Sequence, residues 1–214
     1  MEKNLYLYGI TEHEVEVLSC EQLANENFRV VLNQTLFHPQ GGGQPSDVGT
    51  IADSDVIHVA FENGNIIHEC KQAVPLGHVS AKVNLQQRHL HSRLHSAGHL
   101  IGHIVETHGW QPTKAQHWPS DAKVQFIATE NNEEIDSLHL KHLLRQSIEA
   151  DLPAKITINN AGFREIAFGH FNAYPCGGTH VQSLAEIGEI EIQKIEMKKG
   201  KLTIRYGLAV GHEG

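Results

Sequence analysis

No apolar run in the 214-residue chain approaches the length of about 18 residues that a membrane-spanning helix needs. The start, Met1-Glu2-Lys3-Asn4-Leu5-Tyr6, lacks the basic start and apolar run of a secretory leader. Cysteine is scarce: Cys20, Cys70 and Cys176 cannot all pair within one chain, which argues against a disulfide framework. Positive charge is also short, with 17 Lys and Arg against 25 Asp and Glu and a net charge of −8. That balance argues against broad, non-specific binding to nucleic acid. Any RNA contact must therefore be local, and the best basic segment holds Lys194, Lys198, Lys199, Lys201 and Arg205. No stretch rich in Pro, Gly or Ser divides the chain, so its two parts are expected to pack together. With 40% hydrophobic and 20% charged residues, the composition is that of a globular, cytoplasmic protein with no membrane partner.

The patterning predicts an α+β fold in two parts. Residues 1–84 read as a small β-barrel. Glu14-Val15-Glu16-Val17-Leu18, residues 28–32, residues 56–61 and residues 79–83 have strand character, and Asn63-Gly64 marks a hairpin into Asn65-Ile66-Ile67-His68. Within this part, residues 35–49 stand apart because three successive glycines, Gly41, Gly42 and Gly43, permit positive φ angles and close backbone approach. A plain turn between strands is the simpler reading of that loop.

From Leu85 to about residue 107 the period becomes helical, with Leu90, Leu94, Ala97, Ile101, Ile104 and Val105 on one stripe. The rest of 85–214 reads as α+β. A strand is expected over 123–127 and a helix from about Glu133 to Ala150 capped by Asn131 or Asn132. Further strands are expected over 155–158, 164–168, 187–196 and 202–208, the last two turning at Lys199-Gly200.

Two remote segments carry metal-ligand chemistry. His95-Ser96-Ala97-Gly98-His99 places two imidazoles at i, i+4 on one helix face, and Cys176-Gly177-Gly178-Thr179-His180 offers a thiolate and an imidazole on a small loop. Zinc favours this mixture of nitrogen and sulfur donors. Because His91, His95, His99 and His103 form a ladder, periodicity alone does not choose the pair. Four protein ligands would close a tetrahedron, whereas a catalytic ion keeps one position open. The first histidine is not followed by Glu, so the helix-borne base of the metalloproteases is missing, and the His-x-Glu and Cys-x-x-Cys pattern of zinc deaminases is missing too.

These segments resemble the editing domain of alanyl-tRNA synthetase and the freestanding alanyl-tRNA editing proteins of the AlaX type. In that family a His-x3-His helix and a Cys-Gly-Gly-Thr-His loop hold zinc, which selects His95, His99, Cys176 and His180 as ligands. The family's Thr-x-Phe-x-Pro-x-Gly-Gly-Gly-Gln segment is matched from Thr35 to Gln44, and His117-Trp118-Pro119 and Glu186-Ile187-Gly188 are similar as well. The resemblance implies a barrel packed on a zinc-containing editing domain over 85–214. It also implies a hydrolase acting in trans on tRNA(Ala) mischarged with serine, or with glycine. Thr35 and Gln44 would contact the substrate, together with Gly42, Gly43 and His117. His38 and Gly98 depart from the family's usual Tyr and Thr, and Gly98 is expected to loosen the helix by about 1 kcal/mol. A synthetic pocket for alanine rejects one extra hydroxyl poorly, so a second, polar sieve makes physical sense. Two other readings compete: a noncatalytic tRNA-binding module with structural zinc, and a zinc hydrolase of small esters. The editing domain of threonyl-tRNA synthetase has related architecture, but the Gly-Gly-Gly-Gln and Cys-Gly-Gly-Thr-His segments point to the alanyl branch.

Overall fold

The computed structural model describes residues 4–209. The chain divides into two compact units, Met1–His89 and Leu90–Gly214.

In the first unit six strands alternate apolar and polar side chains: β1 (Glu12–Gln22), β2 (Phe28–Leu32), β3 (Gly49–Ile51), β4 (Ser54–Glu62), β5 (Asn65–Cys70) and β6 (Gly77–Val83). They close into an antiparallel barrel in the order β1-β2-β5-β4-β3-β6. The inward positions supply its core, including Val15, Val17, Val30, Ile51, Val56, Val59 and Ala81, with Leu36 and Phe37 from the loop after β2. Asn63 and Gly64 form the two-residue turn expected between β4 and β5, both at positive φ.

The loop between β2 and β3 is fastened by one buried carboxylate. Asp47, fully buried, accepts from the His38 N–H at 2.5 Å and from Arg88 Nε at 3.0 Å. Arg88 also donates to the Leu36 carbonyl at 2.7 Å. A guanidinium fork suits this task because one planar group reaches a carboxylate and a carbonyl together. Between these anchors Gly41 and Gln44 exchange backbone hydrogen bonds at 3.2 and 2.9 Å. The turn they bracket puts Gly42 at φ 58° and Gly43 at φ 78°. Two consecutive positive φ angles are a primed turn, which glycine enters without a Cβ clash.

Helix α1 (Leu85–Glu106) is capped by Asn84, whose Oδ1 accepts from Gln87 N at 3.0 Å. The second unit takes α1 from Leu90 onward and adds β7 (Trp110–Gln116), β8 (Ala122–Ala128), α2 (Ser137–Glu149), β9 (Ala154–Ile158), β10 (Arg164–Phe168), β11 (Tyr174–Pro175), β12 (Ile190–Lys198) and β13 (Lys201–Leu208). These strands form a four-stranded sheet, β12-β13-β8-β7, and a three-stranded sheet, β11-β10-β9. Leu94, Ala97, Ile101, Ile104 and Val105 of α1 share one core with Leu140 and Leu144 of α2 and with Phe126, Phe168 and Ile204. The helical stripe read from the sequence is the buried one.

Two boundaries and one missed strand need correction. Helix α2 begins at Ser137 and is capped by Asp136, which accepts from His139 N at 2.7 Å. Asn132 instead turns back to the Thr129 carbonyl, and Glu133 bonds backbone to backbone with His108, so this stretch is a loop tied to the end of α1. Strand β7 was not anticipated. It carries Pro112, which is tolerated because β7 is a sheet edge with a bulge between Pro112 and Lys114. The expected strand from Ile187 begins at Ile190, because Leu184–Ile187 is a 3-10 turn. No helix among the described residues is long and apolar enough to cross a membrane.

Candidate metal centre

One turn of α1 sets the geometry of the second unit's polar cluster. His95 and His99 project from successive turns, and the chain after β11 brings Cys176 and His180 against them. One ligand atom from each of the four lies within 4.8 Å of all the others. Cys176 Sγ stands 3.5 Å from His95 Nε2 and 3.2 Å from His180 Nε2. Nitrogen and sulfur ligands at the usual zinc bond lengths occupy tetrahedral corners about 3.5 Å apart. The spacing and the donor set of three imidazoles and one thiol therefore fit zinc.

The electrostatics agree with that fit. Burial holds His99 down to about pKa 3, helped by His117, His103 and Arg164, so its imidazole is neutral and keeps a lone pair. His99 Nδ1 is buried and has no hydrogen-bond partner among the described residues. Burial pushes the Cys176 thiol up, opposed by the Gly178 N–H and by Arg164. A divalent cation would overturn that balance, since a coordinating thiol is deprotonated.

Residues that the sequence did not single out hold these ligands. Ser96 Oγ lies 3.1 Å from His180 Nδ1 and accepts from Val181 N at 3.2 Å, leaving Nε2 of His180 on the cluster side. Ser92 Oγ meets Thr179 Oγ1 at 2.7 Å. Arg164 Nη1 donates to the carbonyls of Cys176 and Gly178 at 2.6 and 3.1 Å, pinning the glycine-containing loop. Such partners fix the orientation of metal ligands and tune their basicity. Ser92 and Ser96 repeat the four-residue spacing of His95 and His99 on the same helix, which is the one sequence signal that could have found them.

Of the residues expected to contact a substrate, His117 lies at this cluster. It is 2% exposed and stacks on His95 with ring centroids 4.3 Å apart. Its Nδ1 is 2.6 Å from the Tyr206 hydroxyl, and burial lowers its pKa to about 4. Thr35, Gly42, Gly43 and Gln44 belong to the first unit, where Thr35 is 3% exposed and Gln44 is fully buried. The basic segment near the C-terminus is partly neutralised: Lys194 pairs with Glu196, and Arg205 with Asp121 and Glu196.

The chain is 31% identical over 186 residues to the alanyl-tRNA editing protein AlaX-M of Pyrococcus horikoshii, covering 80% of this chain and 83% of that relative. It belongs to the alanyl-tRNA editing protein family. AlaX-M of Methanosarcina acetivorans is 29% identical over 238 residues, with 94% and 96% covered. Residues 163–203, which include β10 and the Cys176–His180 loop, match the threonyl and alanyl tRNA synthetase second additional domain. The alanine–tRNA ligase of Pyrobaculum neutrophilum is 28% identical over 202 residues, a match that takes in 78% of this chain but only 22% of the ligase. Editing-family proteins thus resemble it along nearly their whole length, and the ligases over about a fifth.

Proposed function

We propose that the protein is a zinc-dependent hydrolase that deacylates mischarged tRNA(Ala) in trans, chiefly Ser-tRNA(Ala) and also Gly-tRNA(Ala), in the cytoplasm. The observation that carries this reading is the convergence of His95, His99, Cys176 and His180 in a chain of the alanyl-tRNA editing family. Residues 85–214 are then the editing domain, and residues 1–84 the barrel that carries the glycine-rich loop.

These four side chains would hold the ion, which when bound supplies Lewis-acid polarisation of an ester carbonyl. The chain's own residues do the rest. Ser96 orients His180, Arg164 holds the Cys176 loop, and His117, kept neutral by burial, offers a polar contact beside His95. Thr35 reads the hydroxyl of serine, and Gln44, Gly42 and Gly43 line the same subsite. Correct alanine would leave those polar partners unmet, which is how a second sieve spares it.

A structural zinc in a noncatalytic tRNA-binding module is favoured by one observation, the completeness of the ligand set, because four protein donors fill a tetrahedron. Deacylation of serine-, glycine- and alanine-charged tRNA(Ala) by the purified chain, before and after chelation, separates the readings. Zinc-dependent loss of serine with alanine spared is expected. A folded, zinc-loaded protein that hydrolyses none of them would be the binding module. Hydrolysis of simple esters without tRNA would point to a small-ester hydrolase.

A further inference from the structure

The barrel dictates which way the Thr35 hydroxyl points its hydrogen. His68 on β5 is fully buried, with Nδ1 3.2 Å from the Val30 carbonyl oxygen and Nε2 2.7 Å from Thr35 Oγ1. A carbonyl can only accept, so Nδ1 carries the hydrogen, and Nε2 of the neutral ring then has only a lone pair to offer. The Thr35 hydroxyl must therefore donate to His68. The Phe37 N–H donates to the same Oγ1 at 3.0 Å. A hydroxyl has one hydrogen and two lone pairs; here the hydrogen and one lone pair are engaged. What remains on Oγ1 can only accept.

Two further features keep this arrangement from inverting. A flipped ring would take both nitrogens off Thr35 and Val30, and the Phe37 ring packs edge-on against His68 with centroids 5.5 Å apart. Burial, only partly opposed by the Val30 hydrogen bond, holds the imidazole down to about pKa 4, so the ring stays neutral at physiological pH.

We propose that His68 is a positioning residue that fixes Thr35 as a hydrogen-bond acceptor toward the aminoacyl side chain, restricting that contact to side chains that carry an O–H or N–H. The proposal rests on Thr35 being a substrate contact, as above. Serine satisfies it by donating its hydroxyl hydrogen. The side chains of glycine and alanine have nothing to donate, so any hydrolysis of glycine proceeds without help from the Thr35–His68 pair.

The test compares kcat/KM for Ser-tRNA(Ala) and Gly-tRNA(Ala) in the full zinc-loaded chain and in His68→Leu and His68→Gln. His68→Leu frees the Thr35 hydroxyl to rotate and should lower the serine value about tenfold while leaving glycine unchanged. His68→Gln should restore most of the loss, because its Oε1 accepts from Thr35 while its amide N–H2 faces Val30. Equal falls for serine and glycine, or no fall for either, overturn the proposal and leave the editing reading standing. A wild-type chain inactive on serine overturns the editing reading, and the proposal with it. If His68→Leu does not fold, nitrogen-15 NMR of the wild-type imidazole decides: a hydrogen on Nε2 overturns the proposal, and one on Nδ1 supports it.

Discussion

Tyr206 donates its hydroxyl hydrogen to the Leu94 carbonyl at 3.0 Å and accepts from His117 Nδ1 at 2.6 Å. Burial keeps the phenol protonated, well above its ordinary range. His117 is thereby held as the Nδ1–H tautomer against the face of His95. This pair occupies the space beside Gly98. A Cβ at Gly98 would stand 2.4 Å from His117 Cε1 and 2.6 Å from the Tyr206 hydroxyl. The glycine therefore does more than loosen a helix; it admits the two side chains.

Gly98→Ala should gain helix propensity and still destabilise the fold. The propensity gain is about 1 kcal/mol, whereas forcing the packed pair apart costs about 1–3 kcal/mol. Denaturant unfolding of Gly98→Ala, His117→Ala and the double variant forms the check. The alanine at 98 should be better tolerated once His117 is truncated, and strictly additive effects would reject the packing account.

On the proposed zinc reading, Ser96→Ala should leave His95, His99, Cys176 and His180 in place and still weaken metal binding. Loss of a ligand's hydrogen-bond partner costs about 10–100-fold in metal affinity. Cys176→Ala should lose the ion outright. Competition with a chromophoric chelator measures both, and an unchanged affinity in Ser96→Ala would show that the His180 contact is incidental.

Arg88→Met should lower stability by about 3 kcal/mol, because it strands the Asp47 carboxylate in the barrel unit. Changing Asp47 to Asn in the same chain should recover part of the loss. Urea midpoints of the single and double variants report this directly, and a drop below about 1 kcal/mol would place the pair among weak surface bridges.

The features legible in the sequence are those whose spacing encodes geometry. Alternation marked most of the barrel strands, the helical stripe marked the buried face of α1, and two four-residue spacings marked the metal-ligand types that lie together. What was missed has no such period. Tyr206 and Leu94 are 112 residues apart, and a single tyrosine in a strand reads as core until its hydroxyl is placed. Arg164 looked like the first residue of a strand, yet its guanidinium holds the Cys176 loop. Proline concealed β7, and two asparagines drew the start of α2 one turn too early, because cap-forming residues serve loops equally well. His68 was visible only as a hairpin strand residue.

Stability should decline as pH falls from about 6.5 toward 4. The His68 imidazole is lowered by burial to about 4 from an ordinary 6.5, so within that window the unfolded chain binds a proton that the folded one refuses. Its contribution is complete above the unfolded value and is lost on acidification, on the order of 3 kcal/mol over the full interval. Urea unfolding at pH 7.5 and 5.0 should show the loss, and His68→Leu should be less sensitive than the parent. Equal sensitivity would mean that other groups dominate, for example His103 and His117, which burial also lowers to about 4.

Closure of the barrel has a consequence for behaviour at high concentration. A closed sheet has no rim, so the six strands expose no row of unpaired backbone groups on which a second chain could template. The three-stranded sheet is different. Strand β9 is one of its two edges, held at its start by Ala154 N–H donating to the Gln182 carbonyl, and Ile156 and Ile158 stand 50% and 66% exposed further along, with Pro153 just before the strand and Lys155 within it as gatekeepers. Self-association by strand addition would use the edges of the two open sheets, β9 among them, rather than the barrel.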